Sequence, residues 1–208
     1  MRKVGIMGGT FNPIHYGHLF LAENAYEQVG LDQVLFMPSK NPPHKVKAEL
    51  APGEYRAEMV RLAIQGNPHF SLSMMELERE GITYSVDTLS ILTKEHPDTE
   101  YYFIVGADSF FMMQTWKNPE KLFQLCTIAV AGRDNVKEDK LAKQAKYLKD
   151  IFGARTISLQ MPNLQISSAF TRDRIAANKS IRYYVPDDVI TYITEKQLYR
   201  TVHMSEGH

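Results

Sequence analysis

Short apolar segments alternate with amphipathic segments along most of this chain. The apolar segments have the length of buried strands and lie at Lys3–Met7, Gln33–Pro38, Phe70–Met74, Tyr101–Val105, Thr127–Ala131 and Thr156–Leu159. The amphipathic segments have helical spacing and lie at His18–Val29, Gly53–Gln65, Ser85–His96, Pro119–Leu125, Lys137–Asp150, Ser168–Ala177 and Pro186–Glu195. This alternation predicts an α/β fold, a doubly wound parallel sheet with helices on both faces and a small C-terminal helical extension. Ligands of such sheets bind beyond the carboxyl ends of the strands, where the strand order reverses.

The composition fits one globular domain. The chain has 208 residues, of which 44% are hydrophobic and 23% charged, and it contains neither an internal repeat nor an obvious linker. We therefore expect a single domain over residues 1–202, with its helical part at 168–202, followed by a polar tail at 203–208.

Charge and cysteine content limit the partners, the disulfide bonds and the cellular location that we expect for this chain. The 24 basic and 24 acidic residues cancel, so the overall charge predicts neither a nucleic-acid nor a membrane partner. The single cysteine, Cys126, lies in an apolar run, where we expect it to pack as a small hydrophobe without an internal disulfide. No segment has the pattern of a signal peptide or a membrane span, and a cytoplasmic location is expected.

The segment after the first strand is the most informative part of the chain. Gly8 and Gly9 end the predicted strand, and a loop leads to His15 and His18 at the start of the first helix. Glycines let the backbone approach a ligand closely, and a helix N-terminus offers N–H groups and a positive dipole end, so the segment predicts a phosphate-binding turn. A helix cap with an ordinary surface histidine is one alternative. A zinc site is another, although a third ligand at suitable spacing is missing.

The string Gly-Gly-Thr-Phe-Asn-Pro-Ile-His-Tyr-Gly-His resembles the signature of the nucleotidyltransferase superfamily with the T/HxGH motif. The resemblance implies a Rossmann-like nucleotidyltransferase fold in which His15 and His18 are catalytic and donate to ATP phosphates. It also implies a substrate contact from Asn12 and further ATP contacts from the turn. These ATP-binding residues are Gly8, Gly9, Thr10 and Phe11.

The loop after the second strand contains Pro42-Pro43-His44-Lys45. On the residues alone, a solvated turn with an incidental lysine is as good an interpretation as a phosphate site. The run resembles the PPHK loop of bacterial nicotinate-nucleotide adenylyltransferases. This implies substrate contacts from His44 and Lys45, with Lys45 also catalytic.

The segment Gly81–Thr88 begins the helix after the third strand. Ser85 is a candidate cap, and N–H groups at a helix start suit a carboxylate, although a plain helix start explains the serine as well. The segment is similar to the SYTxDT motif of the same family, with Thr and Ser exchanged. The similarity implies that Thr83, Tyr84 and Ser85 bind a pyridine ring and its carboxylate.

Asp108 and the only tryptophan, Trp116, follow the fourth strand. A carboxylate at a strand end suits ribose hydroxyls, and an indole face suits a flat ring, whereas core packing is the ordinary role of a single tryptophan. The family has a stacking tryptophan at this distance after G-x-D. The resemblance therefore implies substrate contacts from both residues.

The run from Ile166 to Arg172 looks like the ISSTxIR motif of the same enzymes, with Ala169 and Thr171 in place of Thr and Ile. Either Ser167 or Ser168 can cap the next helix, whose N-terminus then faces phosphates. The resemblance implies ATP binding by Ser167, Ser168 and Arg172, with Arg172 also catalytic. Arg133, after the fifth strand, is a further ATP-binding candidate that an ordinary surface role also explains.

Together these motifs resemble the bacterial nicotinate-nucleotide adenylyltransferase family, which joins nicotinate mononucleotide to ATP and releases pyrophosphate. The implied partners are these two nucleotides, with Mg²⁺ carried by ATP rather than by a protein metal site. The oligomeric state stays open, a homo-oligomer included. The alternatives are another adenylyl- or cytidylyltransferase, such as a pantetheine-phosphate adenylyltransferase, a non-catalytic nucleotide-binding module, and a zinc-binding structural protein.

Overall fold

The computed structural model of the protein describes residues 1–40, 50–132, 138–162 and 164–200. Its strands are β1 (Arg2–Gly9), β2 (Gln33–Pro38), β3 (Phe70–Leu72), β4 (Thr99–Gly106), β5 (Thr127–Ala131) and β6 (Arg155–Leu159). They form one parallel sheet in the order β3-β2-β1-β4-β5-β6. The order reverses between β1 and β4, which confirms the doubly wound sheet and puts its switch point at the adjacent ends of these two strands.

The helices connect the strands much as the periodicity predicts. They are α1 (Tyr16–Val29), α2 (Gly53–Ile64), α3 (Met75–Glu78), α4 (Ser85–Glu95), α5 (Ala107–Phe110), α6 (Pro119–Leu125), α7 (Glu138–Phe152), α8 (Ser168–Ala176) and α9 (Asp187–Glu195). The sequence pattern does not predict α3 and α5, because four residues are too few to show a helical period. β3 also ends earlier than predicted, since the chain turns into α3 after Leu72.

Alternate residues of each central strand face opposite sides of the sheet and belong to two separate cores. On one side Met7 and Ile104 pack with α1, α2 and α9. On the other side Ile6, Phe103 and Val105 pack with α4, α6 and α7. Burial on both faces explains why these strands are apolar at nearly every position.

The C-terminal segment belongs to the first of these cores. Ile181, Val185, Val189 and Ile193 are buried against α1, α2 and the sheet. Cys126 is buried in the second core, as expected, and burial raises the pKa of its thiol to about 12. Within the described ranges, no helix has both the length and the apolarity needed to cross a bilayer.

Candidate active site

The turn after β1 is not made by its glycines, which corrects the sequence prediction. Gly8 and Gly9 are part of β1 and pair with β2. The chain turns instead at Phe11, whose φ is +48°, just before a cis peptide bond between Asn12 and Pro13. Both glycines are closely packed instead, because a Cβ on Gly8 would lie 3.2 Å from the Phe103 ring and one on Gly9 3.2 Å from the Phe11 ring.

The two histidines of the motif stack on each other at the start of α1. Their ring centroids are 3.7 Å apart at 28°, and the edge of the Phe11 ring supports His18 at 5.0 Å. His15 is the N-cap residue and is buried, and its backbone N–H donates to Nδ1 of His18 over 3.3 Å. In neutral His18 the ring proton is then on Nε2, so this nitrogen is the donor. Gly17 is required here, because a Cβ would lie 2.9 Å from Nδ1 of His15.

Helix α8 contacts the same turn through two of the predicted ATP-binding residues. Of the two candidate caps, Ser167 is the N-cap, and its hydroxyl accepts from the N–H of Phe170. The Ser168 hydroxyl donates to the carbonyl of Pro13 over 2.8 Å, and the Arg172 guanidinium donates to the carbonyl of Asn12 over 2.9 Å. The structure therefore brings the first and last motifs together.

The departures from the usual motif in α8 are accommodated locally. Thr171 is fully buried, and its hydroxyl donates to the carbonyl of Ser167 over 3.0 Å, so the polar group has a partner. Ala169 is exposed at the start of the helix.

The candidate pyridine-binding segment starts α4 without a side-chain cap. Ser85 is the first helical residue and Tyr84 is the N-cap, which corrects the predicted capping role of Ser85. The Lys117 ammonium lies 4.3 Å from the centroid of the Tyr84 ring and 3.1 Å from a carboxylate oxygen of Asp87. Trp116, the neighbour of Lys117, is half-buried and meets the Phe103 ring edge-on at 5.8 Å.

A buried carboxyl group lies behind this segment. Glu76 of α3 is 8% exposed, and the Thr88 hydroxyl donates to it over 2.8 Å. Arg79 in turn donates to the same hydroxyl over 3.0 Å. Burial raises the pKa of Glu76, and the hydrogen bond from Thr88 opposes this shift. No acidic residue lies between Thr83 and Asp87 in the sequence, but α3 brings one to Thr88 in space.

Of the remaining predicted site residues, the structure describes only Asp108 and Thr83. Asp108 is exposed in the first turn of α5, directly after β4. Thr83 is buried just before α4. His44, Lys45 and Arg133 lie outside the described residues.

These groups lie at the carboxyl ends of the strands around the switch point. Phe103 connects the two parts of the site, because its ring contacts both the position of Gly8 and Trp116. Two surface grooves lie elsewhere, one along α1 at Leu19 and Phe20 and one at Arg182 and Arg200, and neither is lined by a predicted site residue.

Sequence reasoning missed four residues that contact the predicted site: Arg56, Glu76, Lys117 and Tyr199. A signal existed for Arg56, since it precedes Val60 and Ile64 at intervals of four on the buried side of α2. A charged residue in such a stripe indicates a buried polar contact. The other three lie in short or irregular segments that have no such pattern.

Comparisons with a family model and with individual relatives point to the same family. The model of the cytidylyltransferase-like family matches residues 6–174. A protein of Lachnoclostridium phytofermentans named "probable nicotinate-nucleotide adenylyltransferase" is 48% identical over 96% of this chain and 100% of its own length. One of the same name from Thermoanaerobacter is 39% identical over 95% of this chain and 94% of its own length.

Solved structures show the same fold. Nicotinic acid mononucleotide adenylyltransferase of Plasmodium falciparum, complexed with NaAD, superposes with a TM-score of 0.79 over 96% of this chain and 98% of that chain, at 22% identity. The complex of that enzyme with APC gives 0.78 over the same shares of the two chains, at 21% identity. The chain therefore belongs to the cytidylyltransferase-like family and, within it, to the nicotinate-nucleotide adenylyltransferases.

Proposed function

We propose that this protein transfers the adenylyl group of ATP to nicotinate mononucleotide, giving nicotinate adenine dinucleotide and pyrophosphate, a step of NAD biosynthesis. The observation that carries the proposal is the stacked pair of His15 and His18 at the start of α1, beside the switch point of the sheet. The curated relatives that bear this enzyme name over nearly the whole chain support the same reaction.

The chemistry needs no general base. The nucleophile is a phosphate oxygen of nicotinate mononucleotide, and a phosphate monoester with a second pKa of about 6 is largely dianionic at neutral pH. This oxygen bonds to the α-phosphorus of ATP, and the bond from that phosphorus to the oxygen bridging to the β-phosphate breaks. Pyrophosphate leaves with the electron pair. The protein has to align the two phosphates and stabilise the charge that develops on the oxygens.

Each predicted donor has a role in this scheme. His18 donates from Nε2 to the α- or β-phosphate, and His15 orients the His18 ring and supplies a second donor. Arg172, which already contacts the turn, neutralises the triphosphate together with the N-terminus of α8. The backbone around the triphosphate is shaped by Gly8, Gly9, Thr10 and Phe11. Ser167 and Ser168 hold the N-terminus of α8 against the triphosphate. Lys45 is proposed as a further phosphate ligand on its motif alone, and Arg133 only on its place in the sequence after the fifth strand.

The nicotinate mononucleotide side uses different residues. Trp116 stacks on the pyridine ring, and the N–H groups at Thr83, Tyr84 and Ser85 donate to its carboxylate. Asp108 accepts from ribose hydroxyls, and Asn12 and His44 complete the contacts. The half-exposed position of Trp116, next in sequence to Lys117 whose ammonium lies over the Tyr84 ring, supports this assignment.

Mg²⁺ accompanies the triphosphate, whose oxygens are the ligands it prefers. In the part of the chain that the structure describes, no group of three or more His, Cys, Asp and Glu side chains could hold a metal ion. A cytoplasmic location remains a prediction, and the oligomeric state stays open.

One assay tests the function against its alternatives. Pyrophosphate release from ATP is measured with nicotinate mononucleotide, nicotinamide mononucleotide, phosphopantetheine or no acceptor. We expect release with nicotinate mononucleotide far above the other three. Release with phosphopantetheine would favour a pantetheine-phosphate adenylyltransferase, and ATP binding without release would favour a non-catalytic module.

A further inference from the structure

We propose that Arg56 and Tyr199, which no motif of the family covers here, are positioning residues that hold the turn of Thr10–His15 in its reactive conformation. The proposal rests on the proposed function, in which this turn and its histidines bind the ATP phosphates. It adds two residues, from α2 and from the C-terminal end of the described chain, that act on the reaction without touching a substrate.

Arg56 is a buried cation whose donors point at backbone carbonyls. Its side chain is 2% exposed, although it carries a full guanidinium. One terminal nitrogen donates to the carbonyl of Thr10 over 2.7 Å, and Nε donates to the carbonyl of Ala51 over 2.9 Å. Because the group is buried and engaged in this way, it is not a phosphate ligand.

Burying the guanidinium charge is costly, so a buried arginine at this position needs a structural reason. Among the described residues no carboxylate forms an ion pair with Arg56. Desolvation lowers the pKa of Arg56, as expected for a cation without a carboxylate partner. An apolar residue on this face of α2 would avoid that cost but would leave the carbonyl of Thr10 without this donor.

Tyr199 holds the next part of the same turn. Its hydroxyl donates to the side-chain oxygen of Asn12 over 2.8 Å. The same oxygen accepts from the N–H of Ala51 over 3.1 Å, so Asn12 joins the C-terminal segment to the start of α2. Burial raises the pKa of Tyr199, so the hydroxyl stays protonated and remains a donor at neutral pH.

The position of the turn determines the position of the histidines. Phe11 holds a positive φ that non-glycine residues adopt only when the surrounding contacts require it. Arg56 contacts the residue before Phe11, and Tyr199 contacts the residue after it. Three residues further on, His15 caps α1 and its N–H orients the ring of His18. Loosening the turn therefore displaces the phosphate donors.

The experiment compares variants on the same helix. Arg56→Met removes the donors and keeps the length of the side chain, Arg56→Lys restores one charged donor, and Tyr199→Phe removes a single hydroxyl. Arg61→Met is the matched control, because Arg61 lies on α2 with a side chain that is 53% exposed. Turnover and Michaelis constants are measured for both substrates, well below the thermal midpoint of each variant.

We expect Arg56→Met to lower kcat by about 10- to 100-fold, since a misplacement of roughly 1 Å can cost that much. The Michaelis constant for nicotinate mononucleotide should change little. Arg56→Lys should recover part of the loss, Tyr199→Phe should lose several-fold, and Arg61→Met should stay close to the parent protein.

A spectroscopic readout separates positioning from general destabilisation. In ¹⁵N-labelled protein the imidazole nitrogens of His18, assigned by loss of signal in His18→Ala, should report a proton on Nε2. Arg56→Met should shift them toward a mixture of tautomers in a protein that is still folded. This readout needs no turnover, so it tests the proposal even if the parent protein failed to adenylylate nicotinate mononucleotide.

A folded Arg56→Met variant with parental kcat and parental His18 signals would overturn the proposal. If that variant does not fold, parental values for Tyr199→Phe would overturn it.

Discussion

The two parts of the site are built in different ways. The turn of Thr10–His15 is buried from Phe11 onward and receives hydrogen bonds from α2, α8 and the C-terminal segment. The segment at Tyr84 and the side chain of Trp116 are only half-buried, and Lys117 contacts the segment through a cation–π contact with Tyr84 and an ion pair with Asp87. The first part is fixed through its backbone, whereas the second presents aromatic side chains.

This difference matches the demands of the two tasks. Donors to a transition state act only if they are already in place, because reorganisation during the reaction would cost part of the energy they supply. A flat ring can be bound by aromatic surface with less exact geometry. We therefore expect changes in the turn to lower turnover, and changes in the aromatic part to alter substrate affinity and choice.

The largest effect is expected for His18→Ala. Losing one preorganised donor to developing charge costs about 10²–10³ in rate, and His18 is partly exposed at a helix start, so the fold should persist. Turnover and the thermal midpoint are to be measured together, with His96→Ala at the exposed end of α4 as the control. Full activity, or unfolding of the variant, would remove His18 from the mechanism.

The choice between acid and amide is expected to be the next largest effect. A carboxylate accepts from the N–H groups at the start of α4, whereas an amide must turn its own NH₂ toward them, at a cost of about 1–3 kcal/mol for each buried donor left unsatisfied. This corresponds to a preference of roughly tenfold to a few hundredfold for nicotinate mononucleotide. The ratio of kcat/KM for the two mononucleotides at saturating ATP checks this, and a ratio near one would exclude a carboxylate pocket here.

Trp116→Ala tests whether the aromatic part acts on one substrate alone. Stacking of a base on an aromatic side chain is worth about 1–3 kcal/mol, so the Michaelis constant for nicotinate mononucleotide should rise by several-fold or more, and that for ATP should change much less. Trp116→Phe should keep most of the affinity. Equal weakening of both substrates would mean that Trp116 serves the core beside Phe103.

The sequence predicts the strands and helices of the molecule better than the tertiary contacts between them. All six strands and the longer helices follow from apolar periodicity, because burial on both faces of the sheet imposes it. The first and last motifs contact each other through Ser168 and Arg172, as expected for segments that follow strands with carboxyl ends at one edge of the sheet. The burial of Arg56 has a signal in the apolar stripe of α2, but its contact with Thr10 has none. The positive φ of Phe11 and the contact of Tyr199 with Asn12 were not predictable either, because they depend on tertiary contacts between segments that are distant in sequence.

The smallest effect concerns Glu76, the buried acid behind the aromatic part. Its pKa is raised by burial, so the folded protein favours the protonated form. Its contribution to stability is therefore fully present below the ordinary glutamate pKa of about 4.3 and is lost as the pH rises through the higher pKa of the folded state. Glu76→Gln keeps an oxygen to accept from Thr88 and cannot ionise. The variant should match the parent protein in acid and become more stable than it toward neutral pH.

Urea unfolding at a series of pH values measures the difference in stability between Glu76→Gln and the parent protein, with the exposed Glu78→Gln on the same helix as the control. A variant that is less stable at neutral pH would instead show that Glu76 is ionised there and stabilised by Arg79, through the hydroxyl of Thr88 that both contact.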